Sequence, residues 1–181
     1  MLVYIALAEG FEEIEAVAVI DILRRAGIKT KTFSLTENRH VKGAHDVIII
    51  SDDIFEEIDF AKGHMMVLPG GMPGTINLAK HLELGEVLKE YKASNKWLAA
   101  ICAAPTVLAK YGIIEGKNAT CYPGCEKDFG NAIFQSEEIV IDGNIITSRG
   151  PGTALKFGIK LVELILGEEK ANSIKVGMLI E

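Results

Sequence analysis

The chain has 181 residues, 49% of them hydrophobic and 24% charged, with a formal net charge of -6 at pH 7. That is enough chain for one compact domain over residues 1–181 with a real core, and its composition is globular rather than disordered. The acidic balance, the lack of a dense Lys/Arg block and the absence of a run of roughly 18 apolar residues argue against nucleic acid or membrane as the main partner.

Leu2–Ala8 is short, nearly all apolar and ended by a Glu-Gly turn, which predicts a buried strand. It has no basic lead and no cleavage site, so it does not read as a secretory signal. From about Glu12 to Ala26 the pattern predicts a helix closed by Gly27, after Arg24 and Arg25. Its apolar residues Ile14, Val17, Val19, Ile20, Ile22 and Leu23 surround most of the helix. Such a helix needs cover on two sides, by a sheet and by a further layer, for which a second subunit is a candidate.

Ile28–Leu35 reads as a second strand, and Asp46–Ser51, with its Val-Ile-Ile-Ile run, as another buried one. Ile54–Phe60 is a short helix or turn. His64–Leu68 is a strand that stops at Pro69-Gly70-Gly71. Thr75–Leu82 and Leu84–Ala93 read as helices. Trp97–Ile101 is an apolar strand that runs through Cys102 into a helix begun at Pro105 and ended near Gly112. Ala119–Cys121 predicts a short strand, and Ile139–Ile141 and Ile145–Thr147 flank a hairpin turn at Asp142-Gly143-Asn144. Ser148–Gly152 is a tight loop, Ala154–Leu166 an amphipathic helix, and a short charged helix leads to Val176–Ile180.

Short apolar strands alternating with helices define an α/β fold, a mostly parallel sheet covered on both faces. Sites in such sheets lie at the carboxyl ends of strands. Three loops leave strand ends with reactive groups: Glu9–Glu13, Pro69–Gly74 and Cys102 itself.

Cys102 falls on a strand-to-helix turn with alanine two residues before and two after. A nucleophile elbow needs small side chains at both places. A thiol there faces a helix N-terminus, which favours the thiolate; the competing reading is a buried cysteine acting as a small hydrophobe. Glu15 lies on a largely apolar helix, where burial raises a carboxyl pKa and keeps the proton on. The glycine-rich loop offers backbone N–H groups, and those of Gly71 and Ala103 together can form an oxyanion hole. It matches neither a P-loop nor a dinucleotide fingerprint.

Cys121-Tyr122-Pro123-Gly124-Cys125 has no second ligand pair, so no metal site is expected there. With three cysteines the chain has no disulfide framework, which points to the reducing cytoplasm. Cys121 reads either as an inert buried thiol or as a partner for oxidised Cys102. The histidines His40, His45, His64 and His81 are scattered, and none stands where a Cys–His pair would need it.

Five segments, in this order, resemble the ThiJ/PfpI superfamily and, within it, the DJ-one branch: Glu12-Glu13-Ile14-Glu15, Arg24-Arg25-Ala26-Gly27-Ile28, Leu68-Pro69-Gly70-Gly71, Ala99-Ala100-Ile101-Cys102-Ala103-Ala104-Pro105-Thr106 and Ser148-Arg149-Gly150-Pro151-Gly152-Thr153. The resemblance implies a flavodoxin-like three-layer sandwich and a homodimer through the first helix. It makes Cys102 the elbow nucleophile, Glu15 the protonated glutamate beside it and Gly71 the glycine whose amide faces it. It implies a cofactor-free, metal-free glyoxalase or deglycase acting on 2-oxoaldehydes or glycated substrates. The alternative is a non-enzymatic oxidation sensor or chaperone working through a Cys102 sulfinate. Glu12, Gly70, Tyr122, Arg25, His45 and Gly150 are the further candidate contacts to substrate or anion.

Two departures stand out. Tyr122 occupies the position where many relatives have histidine, which leaves a cysteine hydrolase or amidotransferase without its base. His45 stands where a branch member has arginine, so the charge of an anion site shared with Arg25 across a dimer would depend on pH.

Overall fold

A computed structural model describes residues 1–180. The elements run β1 (Leu2–Leu7), α1 (Glu13–Arg25), β2 (Lys29–Ser34), β3 (His40–Lys42), β4 (Ile48–Ile50), β5 (Asp53–Ile54), β6 (Met65–Leu68), α2 (Gly74–Lys80), α3 (Leu82–Ala93), β7 (Trp97–Ile101), α4 (Pro105–Lys110), β8 (Asn118–Ala119), β9 (Ile133–Phe134), β10 (Ile139–Asp142), β11 (Ile145–Ser148), α5 (Ala154–Leu166) and α6 (Glu168–Gly177). The main sheet has seven strands in the order β10-β11-β7-β6-β1-β2-β5. All neighbours pair parallel except β10 with β11, the Asp142-Gly143-Asn144 hairpin.

Continuous apolar strands belong in such a sheet because both faces are covered. Alternate residues of β1 divide between two cores. Val3, Ile5 and Leu7 join Ala16, Val19 and Leu23 of α1 and Phe157 and Leu161 of α5. Tyr4 and Ala6 join Leu84 and Leu88 of α3 and Val107 and Leu108 of α4. The result is the mostly parallel, three-layer α/β architecture expected from the alternation of elements.

α1 is covered by the sheet and by α5. Gly158 of α5 permits the close approach, since a Cβ there would lie 2.8 Å from Ile22 Cδ1. The other flank of α1 is open: Ile14 is 58% exposed and Val17 47%. The all-round apolar pattern thus has two causes, a core-facing side and an uncovered strip.

Asp46–Ser51 departs from expectation. Its strand, β4, is not a buried strand of the main sheet; it pairs antiparallel with β3 in a separate hairpin, and Ile48 and Ile50 point outward. Val41 and Ile49 supply the inward face, packed on the α1 core. An uninterrupted isoleucine run hides the period of 2 that separates a one-sided strand from a buried one. The Ala119–Cys121 strand is shorter, Asn118–Ala119, and pairs with β9. Among the described residues no helix is long and apolar enough to cross a membrane.

Candidate active site at the carboxyl ends of β1, β6 and β7

β1, β6 and β7 are adjacent, so the loops after Leu7, Leu68 and Ile101 meet at one edge of the sheet. Cys102 follows β7 with φ +65°, a left-handed conformation that costs a non-glycine residue about 1–3 kcal/mol. Its surroundings hold it there. The Cys102 N–H donates to Ser148 O at 2.9 Å, and the Tyr122 N–H donates to Cys102 O at 2.8 Å. Ala100 and Ala104 are fully buried on either side, where larger side chains would have no room.

Glu15 reaches the same point from the first turn of α1. It is fully buried, and its Oε2 accepts the Gly70 N–H at 2.7 Å. The carboxyl lies within side-chain hydrogen-bonding reach of the Cys102 thiol. Its Oε1 is buried without a well-formed partner of its own, so a proton carried there has only the sulfur or an incoming group to bond. Gly70 makes the arrangement possible. A Cβ on it would stand 2.6 Å from Cys102 Cβ and 2.8 Å from Glu15 Oε2. Gly71, at φ +92°, turns its amide toward Cys102, and the amides of Gly71 and Ala103 both favour the charged form of the thiol.

Burial pushes the Glu15 carboxyl up from 4.5 to about 7, and the nearby Glu12 charge adds to the rise, while the Gly70 and Cys102 hydrogen bonds oppose it. Burial also raises the Cys102 thiol, and the Glu15 carboxyl beside it raises it further. The expectation of a thiol acidified by its helix is therefore corrected. α4 is only six residues long, and burial together with the Glu15 carboxyl outweighs the opposing Ala103 and Gly71 amides. The two groups repel a second negative charge, so they titrate as a pair. Near neutral pH the pair loses its first proton.

The other candidate residues lie around this centre or away from it. Glu12, 9% exposed, donates its N–H to Gly70 O at 2.9 Å. The Tyr122 ring, half exposed, rests on Gly150, and both line an open cavity of about 360 Å³ with Glu138, Arg149 and Thr153. Arg25 is at the far end of α1 on Asp21, at 2.6 Å, and His45 is held by Glu13, so a single chain does not bring the two together. Ser148 was not singled out from the sequence, although its carbonyl anchors the elbow; the signal is that β11 pairs beside β7 and ends level with Ile101. Glu13 is a second residue to which the sequence assigns no role of its own. It is 8% exposed and engages the main chain and ring of His45. Burial alone would raise its carboxyl, but the His45 donors outweigh burial and hold it below the usual range.

An α/β sandwich with a cysteine on a strained strand-to-helix turn, flanked by two amides and a buried carboxyl, defines a class of elbow-cysteine proteins. The DJ-1/PfpI family model matches residues 1–164. The chain is 39% identical over 178 residues to Protein dj-1beta of Drosophila melanogaster, a match that covers 97% of this chain and 95% of that one. It is 34% identical over 168 residues to Glutathione-independent glyoxalase DJR-1.2 of Caenorhabditis elegans, covering 92% and 89%. The crystal structure of Drosophila melanogaster DJ-1beta superposes with a TM-score of 0.96 at 38% identity, over 99% of this chain and 98% of that one. The chain belongs to the DJ-1/PfpI family, and its fold is the flavodoxin-like one.

Proposed function

We propose that this chain is a cofactor-free glyoxalase that converts 2-oxoaldehydes, or their adducts, to 2-hydroxy acids through Cys102. The observation that carries the reading is the placement of Cys102 Sγ between the Gly71 and Ala103 amides and the buried Glu15 carboxyl. The similarity to a protein named as a glutathione-independent glyoxalase supports it.

In this reading the thiolate attacks the aldehyde carbon and a C–S bond forms. The new alkoxide sits against the two amides and takes a proton from Glu15. The Glu15 carboxylate then removes the hydrogen on that carbon as a proton, giving an enediolate. Returning the proton to the neighbouring carbon, while the hydroxyl proton passes between the two oxygens, gives a hydroxyacyl thioester. Water cleaves the thioester and frees Cys102. The aldehyde carbon loses the two electrons that the ketone carbon gains, so the step needs no outside oxidant. Because Glu15 exchanges protons with water, methylglyoxal supplied in D2O without added thiol should give lactate deuterated at C2. Equal lactate from wild type and Cys102→Ser would sink the reading.

The same three donors also suit the oxygens of a Cys102 sulfinate, which favours a second role as an oxidation sensor. Under mild peroxide, mass spectrometry should find two oxygens on Cys102 before any on Cys121 or Cys125; the reverse order removes that role. For a partner, a second copy of this chain would cover the Ile14–Val17 strip of α1, with the outward Ile48 and Ile50 extending the apolar patch.

A further inference from the structure

We propose that the cavity where the carboxyl ends of β1 and β2 meet α2 binds a free α-amino acid with an apolar side chain, at a site separate from the Cys102 centre. The cavity holds about 360 Å³, and Ala8, Glu9, Leu35, Asn77, Lys80 and His81 line it. That volume falls within the roughly 300–1,000 Å³ of small-molecule sites. Ligands of open α/β sheets bind outside the carboxyl ends of the strands, and Ala8 and Leu35 directly follow β1 and β2 there.

Two opposite charges border this space, and neither is neutralised within the chain. Among the described residues neither Glu9 nor Lys80 forms an ion pair, with the other or with a third group. Glu9 Oε1 accepts the Lys42 N–H at 3.3 Å, but the Lys42 ammonium is taken up by Asp46. Asn77 Nδ2 donates to Glu9 O at 2.8 Å, which ties α2 to the end of β1 and sets the spacing of the two charges.

His81 adds a fixed donor. Its Nδ1 accepts the Leu84 N–H at 3.1 Å as the cap of α3, and its ring centroid lies 4.5 Å from that of Phe55. A ring whose Nδ1 accepts carries its proton on Nε2, and a second proton would leave that donor in place. Glu83 Oε2 stands 3.5 Å from Nδ1, so the acid beside this histidine lies at its other nitrogen.

A carboxylate, an ammonium and an N–H around the apolar Ala8 and Leu35 match a molecule that carries both charges. The ligand's ammonium goes to Glu9, its carboxylate to Lys80 and His81 Nε2–H, and its side chain to Ala8 and Leu35. A simple anion leaves Glu9 opposing it, and a simple cation leaves Lys80 opposing it.

The test is an NMR titration of the isotope-labelled full chain with three probes: L-leucine, isocaproate, which lacks the ammonium, and isoamylamine, which lacks the carboxylate. Leucine should shift the Glu9, Leu35 and His81 amides, saturating with a Kd of about 1 mM or below. Each analogue should bind about tenfold or more weakly, the loss of one charged hydrogen-bonded contact. Lys80→Gln should erase the advantage of leucine over isoamylamine, and Glu9→Gln its advantage over isocaproate. Both side chains are exposed, so the fold is kept. Cys102→Ser should bind leucine like wild type. The proposal is overturned if leucine gives no saturating shift at these amides, if either analogue binds as tightly as leucine, if either variant keeps the full discrimination, or if Cys102→Ser abolishes binding.

Discussion

Gly70 donates its amide to Glu15 Oε2 at 2.7 Å while its bare α-carbon faces Cys102, so one residue sets both the orientation of the carboxyl and its closeness to the thiol. The loop after β6 is a spacer between two reactive groups as much as a source of amides.

Gly70→Ala should therefore act on stability and activity together. The added methyl meets Cys102 Cβ, Glu15 Oε2 and the Ile101 carbonyl, all within 2.9 Å. Overpacking of this kind costs about 1–3 kcal/mol, readable as a lowered urea midpoint. Turnover of methylglyoxal should fall with it. A variant of wild-type stability and rate would show that the three groups are not held as described.

Glu15 gives the fold a pH dependence whose sign is fixed. Its carboxyl titrates at about 7 when folded against an ordinary 4.5. Below the lower value both folded and unfolded chains hold the proton, and Glu15 contributes full stability. Between the two values the unfolded chain sheds the proton first, so stability declines as pH rises, and the loss is complete above about 7. The full span corresponds to about 3 kcal/mol. Glu15→Gln, which keeps an acceptor for Gly70 but cannot ionise, should remove that decline. It should be more stable than wild type at pH 8 and close to it at pH 4, measured by urea unfolding. Equal pH dependence in both proteins would contradict the buried, proton-holding carboxyl.

Much of this centre is legible in the sequence because its signals are local. Pro105 and the paired alanines place Cys102 at a turn, and an acidic residue among apolar ones marks Glu15 as buried. What stayed hidden depends on long-range pairing. The β3–β4 hairpin brings His45 onto Glu13, 32 positions away, and no local pattern encodes that contact. The upward shift of the thiol is equally non-local, since it arises from burial beneath three loops and from Glu15 on another element.

The apolar strip on α1 gives a prediction about assembly. Val17→Glu places a charge where a second copy would pack, and Val17 is 47% exposed, so the single chain should lose little stability. Sedimentation should show wild type as a dimer and the variant shifted to monomer. A wild-type monomer, or a variant dimer of unchanged affinity, would remove α1 from the interface.

The chemistry itself is tested most directly by kcat/KM for methylglyoxal, in the absence of other thiols, for wild type, Cys102→Ser and Glu15→Gln. Loss of the nucleophile should reduce it by about 10³-fold or more, and loss of the proton carrier by about 10²–10⁴-fold, with both variants folded by circular dichroism. Wild-type rates in either variant would contradict a reaction carried by the Cys102–Glu15 pair.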